Sequence, residues 1–535
     1  MQPYLNDTYA PLAHIPELRG NEAVPGRTWL DQHDRRRLTA YQVLGSYRTN
    51  TRRYHLPDSV WMQGAEKYRE YGDAALLVDT ARALLLGDTQ TVTAPDDPDG
   101  AAAAWLTEWA AAERLTQKLL EGEEHAIGDG DVVYTLGWDA AKGRPRLRVF
   151  DPGFYFPDTE NKARVDGWSD DEYPPAVHIA WEHRDETGRT WIRRHTWQLF
   201  PTDPWTPKYG GTASWVCKYR VVDYDTADLL SDVDVYSPDL SRRAGTKFIS
   251  TPTEGETDGW QDLGIDFIPV VHVPNDPSTT RTFGRSILLK VAHLLDDLSA
   301  NDTDLAAAAQ AANPSMVLQG APAPEQTPVG GVIGMPEDAK ASFMDTSKNL
   351  VALTGHVTGL LDRIAINSRL AQSLLGRVAP NDVPSGYALE LGFAPAKNLL
   401  REMRTVRDEK YPLILRFAMR LAVVHDALTG DLPRAVIELG SALPADLPAA
   451  IDAVKELLPV KAISTATAVR MLQTAGLPIE DAIEEVERIR GEDFEGAKLM
   501  VEATGDVASA ARMLGLTPIT PTDVPDEDTP PGDGE

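Results

Sequence analysis

Three histidines in a β-rich part of the sequence are the first candidates for chemistry. His178, His183 and His195 fall on or beside predicted strands, with Glu182 and Asp185 close to them in sequence. Imidazole and carboxylate groups are common ligands of transition metals. The spacing of these five residues matches none of the common metal-binding motifs, and histidines on strands usually have a structural role. We therefore expect no metal site here, and a metal-dependent DNA-processing enzyme that uses these residues stays as an alternative.

Other sequence motifs of enzymes are incomplete or absent. Asp129-Gly130-Asp131 resembles the start of a calcium-binding loop but lacks the later ligands, so we expect a hairpin turn there. The G-x-x-x-x-G-K-[ST] sequence that binds ATP phosphates does not occur. Neither does the G-x-S-x-G sequence of a serine nucleophile. We therefore predict that the chain is not an enzyme and uses no cofactor.

Aromatic and basic residues alternate along the same β-rich region. Such a pattern is compatible with a platform on which single-stranded bases stack. We prefer the interpretation that the tryptophans pack within a sheet while amphipathic arginines lie on its solvent side. Arg35, Arg36 and Arg37 are likewise expected to form a solvated end of a helix. The residues of the alternating pattern are Trp181, Trp191, Trp197, Trp205 and Trp215 with Arg184, Arg189, Arg193 and Arg194.

The composition is that of a globular protein with a large negative charge. Of 535 residues, 42% are hydrophobic and 25% are charged, and the formal net charge is −29. This acidity argues against tight binding of nucleic acid through phosphate neutralisation. Cys217 is the only cysteine, so no intrachain disulfide can form. No stretch is apolar for long enough to span a bilayer, and residues 1–26 do not read as a signal peptide, so we expect a soluble protein without a membrane partner.

The first half of the chain is predicted to change from helices to strands. Apolar periodicity predicts helices over residues 29–48, 74–86 and 101–121, with turns at Gly87 and Gly122. A loop is expected over 91–100. Alternating and β-branched runs predict an antiparallel sheet that packs on these helices. Its strands are predicted at 131–138, 146–150, 176–181, 190–200, 213–222 and 267–273.

The stretch from Gly284 to Gly430 has a distinctive order of elements. A helix capped by Ser286 ends at Asn313-Pro314 and carries, on the face opposite its apolar stripe, Asp296, Asp297, Asp302 and Asp304. A Pro/Gly-rich excursion follows, in which runs at 315–318 and 331–333 are able to pair. A second helix comes next and is expected to form an antiparallel pair with the first, with the excursion at the tip. A loop and a third, longer helix complete the stretch, and prolines at 395 and 412 should kink the third helix. Its segment after Pro412 is apolar on nearly all sides, which predicts a buried helix. A short strand at 434–439 and helices at 448–458, 464–475 and 479–491 come after it.

This order of parts resembles the portal proteins of tailed phages. In that family the parts are a stem helix, a clip, a second stem helix, a tunnel loop and a long wing helix. The resemblance implies an α+β portal fold and a ring, of twelve subunits in that family, at one capsid vertex through which DNA is packaged and ejected. Three short sequences support it, namely Phe283-Gly284-Arg285-Ser286, Asn313-Pro314 and Pro384-Ser385-Gly386-Tyr387-Ala388-Leu389.

The resemblance divides the chain into ten segments. The first half is an N-terminal arm (1–26) and a wing of helices and antiparallel sheet (27–283). The segments after it are the first stem helix (284–313), the clip (314–345), the second stem helix (346–372), the tunnel loop (373–385), the long kinked wing helix (386–430), a wing strand and linker (431–445), a helical crown (446–516) and a disordered acidic tail (517–535).

The resemblance also assigns roles to residues. The apolar stripe of the stem helices would pack between neighbouring subunits through Val291, Leu294, Leu298, Leu353, Val357 and Leu360. The clip would bind partner proteins through Met316, Val317, Leu318, Val332 and Ile333. The tunnel loop would follow the DNA in the channel with Gly376, Arg377, Val378, Ala379, Pro380, Asn381, Asp382, Val383, Pro384 and Ser385.

The partners that follow from the resemblance are those of a virion component assembled in the host cytoplasm. They are further copies of the chain, double-stranded DNA bound without regard to sequence, the large terminase subunit, head-completion or adaptor proteins, and the major capsid protein or scaffold. The missing phosphate-binding loop separates the chain from the terminase itself. A monomeric capsid accessory or adaptor protein is the third alternative.

Overall fold

The chain has an α+β fold, as predicted, and divides into two compact units, Met1–Gly440 and Ser441–Glu535. The division falls inside the predicted linker. The computed structural model describes residues 29–30, 32–52, 69–98, 100–158, 174–202, 214–225, 235–237, 245–276, 282–311, 315–319, 340–344, 347–376, 386–441, 447–479 and 482–514. The predicted N-terminal arm and acidic tail lie outside these residues.

Helices form the first part of the first unit. α1 and α2 contact α4, and α3 also packs on it. The predicted helices over 29–48 and 74–86 are confirmed, and Gly87 ends the second with a positive φ. The elements are α1 (Gln32–Arg48), α2 (Asp73–Leu86), β1 (Gln90–Thr93), α3 (Ala101–Ala112) and α4 (Leu115–Asp129).

The helix predicted over residues 101–121 is wrong in its bounds. The chain breaks at Glu113 and Arg114, where Arg114 has a left-handed backbone, and α4 then continues through Gly122 to Asp129. Gly122 lies inside α4, and the position has no room for a side chain, because a Cβ there would lie 2.0 Å from the Tyr134 hydroxyl oxygen. Its glycine therefore reflects close packing, which the sequence pattern does not distinguish from a turn.

The predicted strands form two antiparallel sheets. One has the order β10-β2-β3, and the other has six strands in the order β4-β5-β6-β7-β8, with β9 also paired to β7. Strand β4 was not predicted. The strands are β2 (Asp131–Asp139), β3 (Arg144–Phe150), β4 (Tyr155–Asp158), β5 (Ala176–Arg184), β6 (Thr190–Pro201), β7 (Trp215–Asp225), β8 (Lys247–Phe248), β9 (Gln261–Asp262) and β10 (Val270–Pro274).

The remaining elements of the first unit confirm the predicted order of helices. A short 3₁₀ turn, Ile287–Lys290, precedes α5. The predicted strand near 434–439 is confirmed and pairs with β1, which lies in a stretch that was predicted to be a loop. The elements are α5 (Ala292–Ala311), β11 (Ser315–Gln319), β12 (Lys340–Met344), α6 (Ser347–Ser368), α7 (Gly386–Val424) and β13 (Val436–Leu439).

The second unit is helical, as predicted, with a small core. Val469, Ala482 and Val486 form its buried apolar cluster. The helix predicted over 479–491 instead begins at Ala482 and continues past Gly491 to Thr504, and a further short helix follows. The helices are α8 (Leu447–Leu457), α9 (Thr465–Thr474), α10 (Ala482–Thr504) and α11 (Val507–Met513).

The main core of the first unit surrounds the second half of α7. Apolar side chains of α3, α4, β2 and β10 pack against it. Ile414, Leu415 and Ala418 are completely buried there. The prediction that the segment after Pro412 is a buried helix is confirmed.

A buried ion pair joins α7 to α4 inside this core. Arg407 and Glu123 have fully buried side chains, and Arg407 donates to both Glu123 oxygens, from Nε (3.0 Å) and from Nη2 (2.7 Å). The Tyr411 hydroxyl donates to the same carboxylate. Burial alone would lower the pKa of Arg407, but the charge of Glu123 outweighs it and raises that pKa. Each charge therefore depends on the other to stay buried.

Removing the cation of this pair should destabilise the first unit. We expect Arg407→Met to lower the free energy of unfolding by about 3–5 kcal/mol, because it leaves the Glu123 carboxylate buried without an opposite charge. The matched control is Arg401→Met, at an exposed position of the same helix, which should change it by less than about 0.5 kcal/mol. Urea unfolding followed by circular dichroism measures both. Equal effects of the two substitutions would contradict the assigned role.

Candidate functional site

The candidate site is a helical hairpin formed by α5, β11, β12 and α6. β11 and β12 pair antiparallel, with Ser315 opposite Met344 and Gln319 opposite Lys340. This pairing places the end of α5 beside the start of α6, and the two helices pack along each other. The predicted antiparallel stem pair is therefore observed. The strand partner differs from the prediction: residues 315–319 pair with 340–344, whereas residues 331–333 lie outside the described residues.

Burial decreases along the hairpin from its base to its tip. At the base, Leu295 of α5 and Ile364 and Ala365 of α6 are at most 5% exposed. In the outer half, residues 299–309 and 350–359, no side chain is fully buried. The described residues of the outer half therefore form no buried core of their own.

The six residues predicted to form the stem stripe differ in how deeply they are buried. Leu353 and Val357, in the outer half, are partly exposed. The four residues nearer the base are at most 6% exposed within a single chain, so the apolar stripe is accounted for without a second copy. Subunit packing through them stays a prediction. These four are Val291, Leu294, Leu298 and Leu360.

The acidic face predicted for the first stem helix needs one correction. Asp296 was assigned to the exposed side, but it is 7% exposed and accepts a hydrogen bond from the Tyr47 hydroxyl at 2.7 Å. Burial and the charge of Asp296 raise the pKa of Tyr47 above its ordinary range. This contact ties α5 to α1. Asp297 and Asp304 are exposed, as predicted.

The base of the hairpin begins at a close contact between two glycines. A Cβ on Gly284 would lie 2.3 Å from the Gly130 carbonyl oxygen and 2.6 Å from the Asn275 nitrogen. Ser286 caps the 3₁₀ turn by accepting from the Leu288 amide, as predicted, and its hydroxyl donates to the Gly128 carbonyl at 2.6 Å. The Phe283-Gly284-Arg285-Ser286 sequence is therefore the anchor of the hairpin.

Asp131 is the acceptor at the centre of this anchor. Its side chain is fully buried and accepts from the Tyr41 hydroxyl, from the Gly284 amide and from His272 Nε2, each at 2.7 Å. These donors come from α1, the start of the hairpin and β10. The segment predicted to be a hairpin turn is in fact the connection from α4 to β2, in which Gly130 has φ 112°.

Asn275 connects the anchor to the buried ion pair. Its Oδ1 accepts from Arg407 Nη2 at 3.0 Å, and its Nδ2 donates to the Arg285 carbonyl at 3.0 Å. Its backbone amide donates to the Gly130 carbonyl at 2.9 Å. The hairpin base, α7 and α4 are thus joined through one side chain.

The predicted clip and tunnel loop are only partly covered by the structure. Met316, Val317 and Leu318 lie in β11, where the backbone is described. Gly376 is exposed and has φ 72°. The other predicted residues of these segments, Val332 and Ile333 of the clip and residues 377–385 of the tunnel loop, lie outside the described residues.

The three candidate histidines do not lie together in one site. His178 and His195 lie on opposite faces of the six-stranded sheet, given their even and odd positions in paired strands. His178 Nδ1 lies 3.0 Å from the Thr196 hydroxyl, and burial and two arginines hold its pKa well below the usual range. His195 stacks on Trp181, and burial lowers its pKa to about 4. His183 lies 3.4 Å from Asp223. No group of metal-ligating side chains occurs among the residues that the structure describes.

The described tryptophans of the alternating pattern pack within the sheet, and Trp205 lies outside the described residues. Two arginines are not solvated as predicted. Trp197 is 8% exposed, and its ring centroid lies 6.1 Å from that of His195. Arg194 is 1% exposed and donates to the Val235 carbonyl at 2.7 Å. Arg37 is 3% exposed and donates to the Tyr155 carbonyl. Both corrections have one cause: a guanidinium is buried where carbonyl acceptors surround it.

The residues that connect the anchor to the core were not singled out by sequence reasoning. Glu123, Asn275 and Arg407 are ordinary polar residues in sequence, and their partners lie up to 288 positions away. One signal was available: Arg407 stands on the apolar face of α7, between Met403 and Tyr411. A charge at such a position requires a buried partner.

Comparisons with known proteins give a limited result. No protein-family model and no curated protein matches the chain. Among solved structures, the chain is similar to one described as "Neck of native GTA particle computed with C12 symmetry", with 14% identity and a TM-score of 0.38 over 76% of this chain and 89% of that one. At this TM-score the likeness carries no conclusion about what the chain does. Among the described residues, no helix has the length and apolar character needed to cross a membrane.

A side chain at residue 284 should disrupt the anchor. We expect Gly284→Ala to lower the free energy of unfolding by about 1–3 kcal/mol, because the atoms that a Cβ would meet belong to the backbone and have little room to move. Gly137→Ala is the matched control, since a Cβ at that strand position would meet nothing within 4 Å. Thermal and urea unfolding of both variants checks this. A Gly284→Ala protein as stable as the control would show that the close contact is not required.

Proposed function

We propose that the chain is a structural subunit, not an enzyme, that assembles into a portal-type ring and connects the head and tail of a phage-like particle. The observation that supports the proposal most is the hairpin of α5 and α6. Its base is fixed to the core through Gly284 and Asp131, while its outer half has no buried side chain. Two helices cannot enclose a core by themselves, so their stability in water depends on further packing. Neighbouring copies in a ring would supply that packing.

The conduit role rests on charge and on the order of the parts. A net charge of −29 is unsuited to holding DNA by its phosphates, which favours a wall along which DNA slides. The tunnel loop carries one basic residue, Arg377, and one acidic residue, Asp382, so its contacts with DNA would be weak and independent of sequence. We propose double-stranded DNA as the passing ligand, during packaging and during ejection.

The proposed protein partners are those that would bind at the tip of the hairpin. In this proposal the clip, which includes β11 and β12, binds the large terminase subunit during packaging and head-completion or adaptor proteins afterwards. The ring occupies one vertex of a capsid in the virion, where the major capsid protein or scaffold surrounds it. Twelve subunits is the number that the family resemblance implies.

The native mass of the purified protein tests the ring. We expect light scattering to give roughly twelve times the chain mass of 58.5 kDa, and negative-stain images of the same fraction to show rings with a central hole. The measurement should cover a wide range of protein and salt concentrations, since assembly follows mass action. A monomer under all of these conditions would contradict the proposal and favour the monomeric adaptor.

A further inference from the structure

The outward face of α6 carries apolar side chains that the described part of the chain leaves uncovered. Val351 is 74% exposed and Ile366 is 75% exposed, more than any other large apolar side chain that the structure describes. At 100° per residue their 15-residue separation turns the helix by about 60°, so both lie on one side of it. Gly355 and Gly359 lie between them on the same side, and a Cβ on either would meet nothing within 4 Å.

This face is unfavourable for an isolated chain. A glycine within a helix is less favourable than alanine, because it loses more backbone freedom on folding. Large apolar side chains in water lose the free energy that burial would provide. Glycines at these positions do allow the backbone of another helix to approach closely. The face therefore has the properties of a contact surface whose partner is absent from the described residues.

The outward face of α5 has the complementary character. Asp297 and Asp304 are seven residues apart, which places them on the same side of the helix, and both are exposed. Ala307, also exposed, lies next to them. This face is therefore acidic and carries a small residue, whereas the α6 face carries Arg363 at its edge, also exposed. Neither Asp297 nor Arg363 has an ion-pair partner within the described part of the chain.

The two faces match in their distance from the hairpin tip. Asp297 lies 14 residues before Ala311, and Arg363 lies 16 residues after Ser347. At 1.5 Å per residue the two levels differ by about 3 Å. Val351 and Ala307 are each four residues from the same ends. For a hairpin that runs along the ring axis, rotation about that axis keeps every residue at its own height, so Arg363 of one copy would meet Asp297 of the next, and Val351 would meet Ala307.

We propose that the face of α6 formed by Val351, Gly355, Gly359 and Ile366 packs on the outward face of α5 in a neighbouring copy. The contact joins two different surfaces, so each copy uses one face toward each neighbour, and contacts of this kind form a ring when the rotation between copies closes. Arg363 and Asp297 set the register of this contact by charge. This interface rests on the proposed ring and names the surfaces that hold it together. It uses the outward faces of the helices, whereas Val291, Leu294, Leu298 and Leu360 pack inward.

A bulky residue on the α6 face tests the close approach. Gly355→Leu should raise the protein concentration at which half of the chains are assembled by about tenfold or more. Gly392→Leu is the matched control, because Gly392 is also an exposed helical glycine with open space beyond it, on α7. The control should assemble as the unchanged protein does. Light scattering across a dilution series gives the concentration, and circular dichroism checks that both variants keep their helices. Equal assembly of the two variants would overturn the interface.

A charge exchange tests the register. Asp297→Arg and Arg363→Asp should each weaken assembly by about tenfold, because each places like charges opposite one another between copies. The combined variant restores opposite charges and should assemble within about threefold of the unchanged protein. No recovery in the combined variant would overturn the proposed register.

The unchanged protein separates the two levels of the proposal. If it stays monomeric at every concentration, the ring itself is contradicted, and the interface with it. If it assembles while the Gly355→Leu and charge-reversed variants assemble equally well, the ring stands and this interface alone is overturned.

Discussion

Glu123 and Arg407 are completely buried, and they hold together parts of the chain that are far apart in sequence. Two charges inside a core are tolerated only when each satisfies the other. Here the pair fixes α7 against α4, and Asn275 extends the same hydrogen-bond network to Arg285 at the start of the hairpin. The position of the hairpin base therefore depends on a polar network in the centre of an apolar core.

The base and the tip of the hairpin therefore differ in how they are stabilised. At the base, Asp131 and Gly284 fix the backbone by buried hydrogen bonds and close contact. Toward the tip, no described side chain of α5 or α6 is fully buried. A rigid base presents the outer half at a defined angle, while the outer half lacks the burial that would stabilise it. Assembly with other copies would supply this burial, and for this reason we propose that the chain is a subunit of a ring.

The elements of the site could be predicted from sequence where one local pattern decides them. Apolar periodicity gave α5, α6 and the buried part of α7, and Ser286 was recognised as a cap because its partner is two residues away. Failures occurred where the deciding contact is distant. Asp296 was assigned to solvent because its partner, Tyr47, lies 249 positions earlier. Gly122 was taken for a turn because Tyr134, which excludes a side chain there, is on another element.

The strand at 340–344 was missed for a related reason. Nothing local marks it as the partner of residues 315–319, and the predicted partner, residues 331–333, lies outside the described residues. Likewise, the stem stripe was correctly read as apolar, but its period does not say whether the same chain or another copy covers it. Val351 and Ile366 instead indicate where another copy would pack, but their exposure cannot be read from the sequence.

The central claim is that the outer half of the hairpin is stabilised by other copies, while its base is stable in the single chain. Amide hydrogen exchange, measured on separated monomer and assembled fractions, tests this directly, because exchange reports local stability segment by segment. The account predicts slow exchange of α4 and of the second half of α7 in both fractions. It predicts that residues 301–311 and 347–359 exchange fast in the monomer and at least about tenfold more slowly after assembly. Equal protection of these residues in the two fractions would contradict the claim.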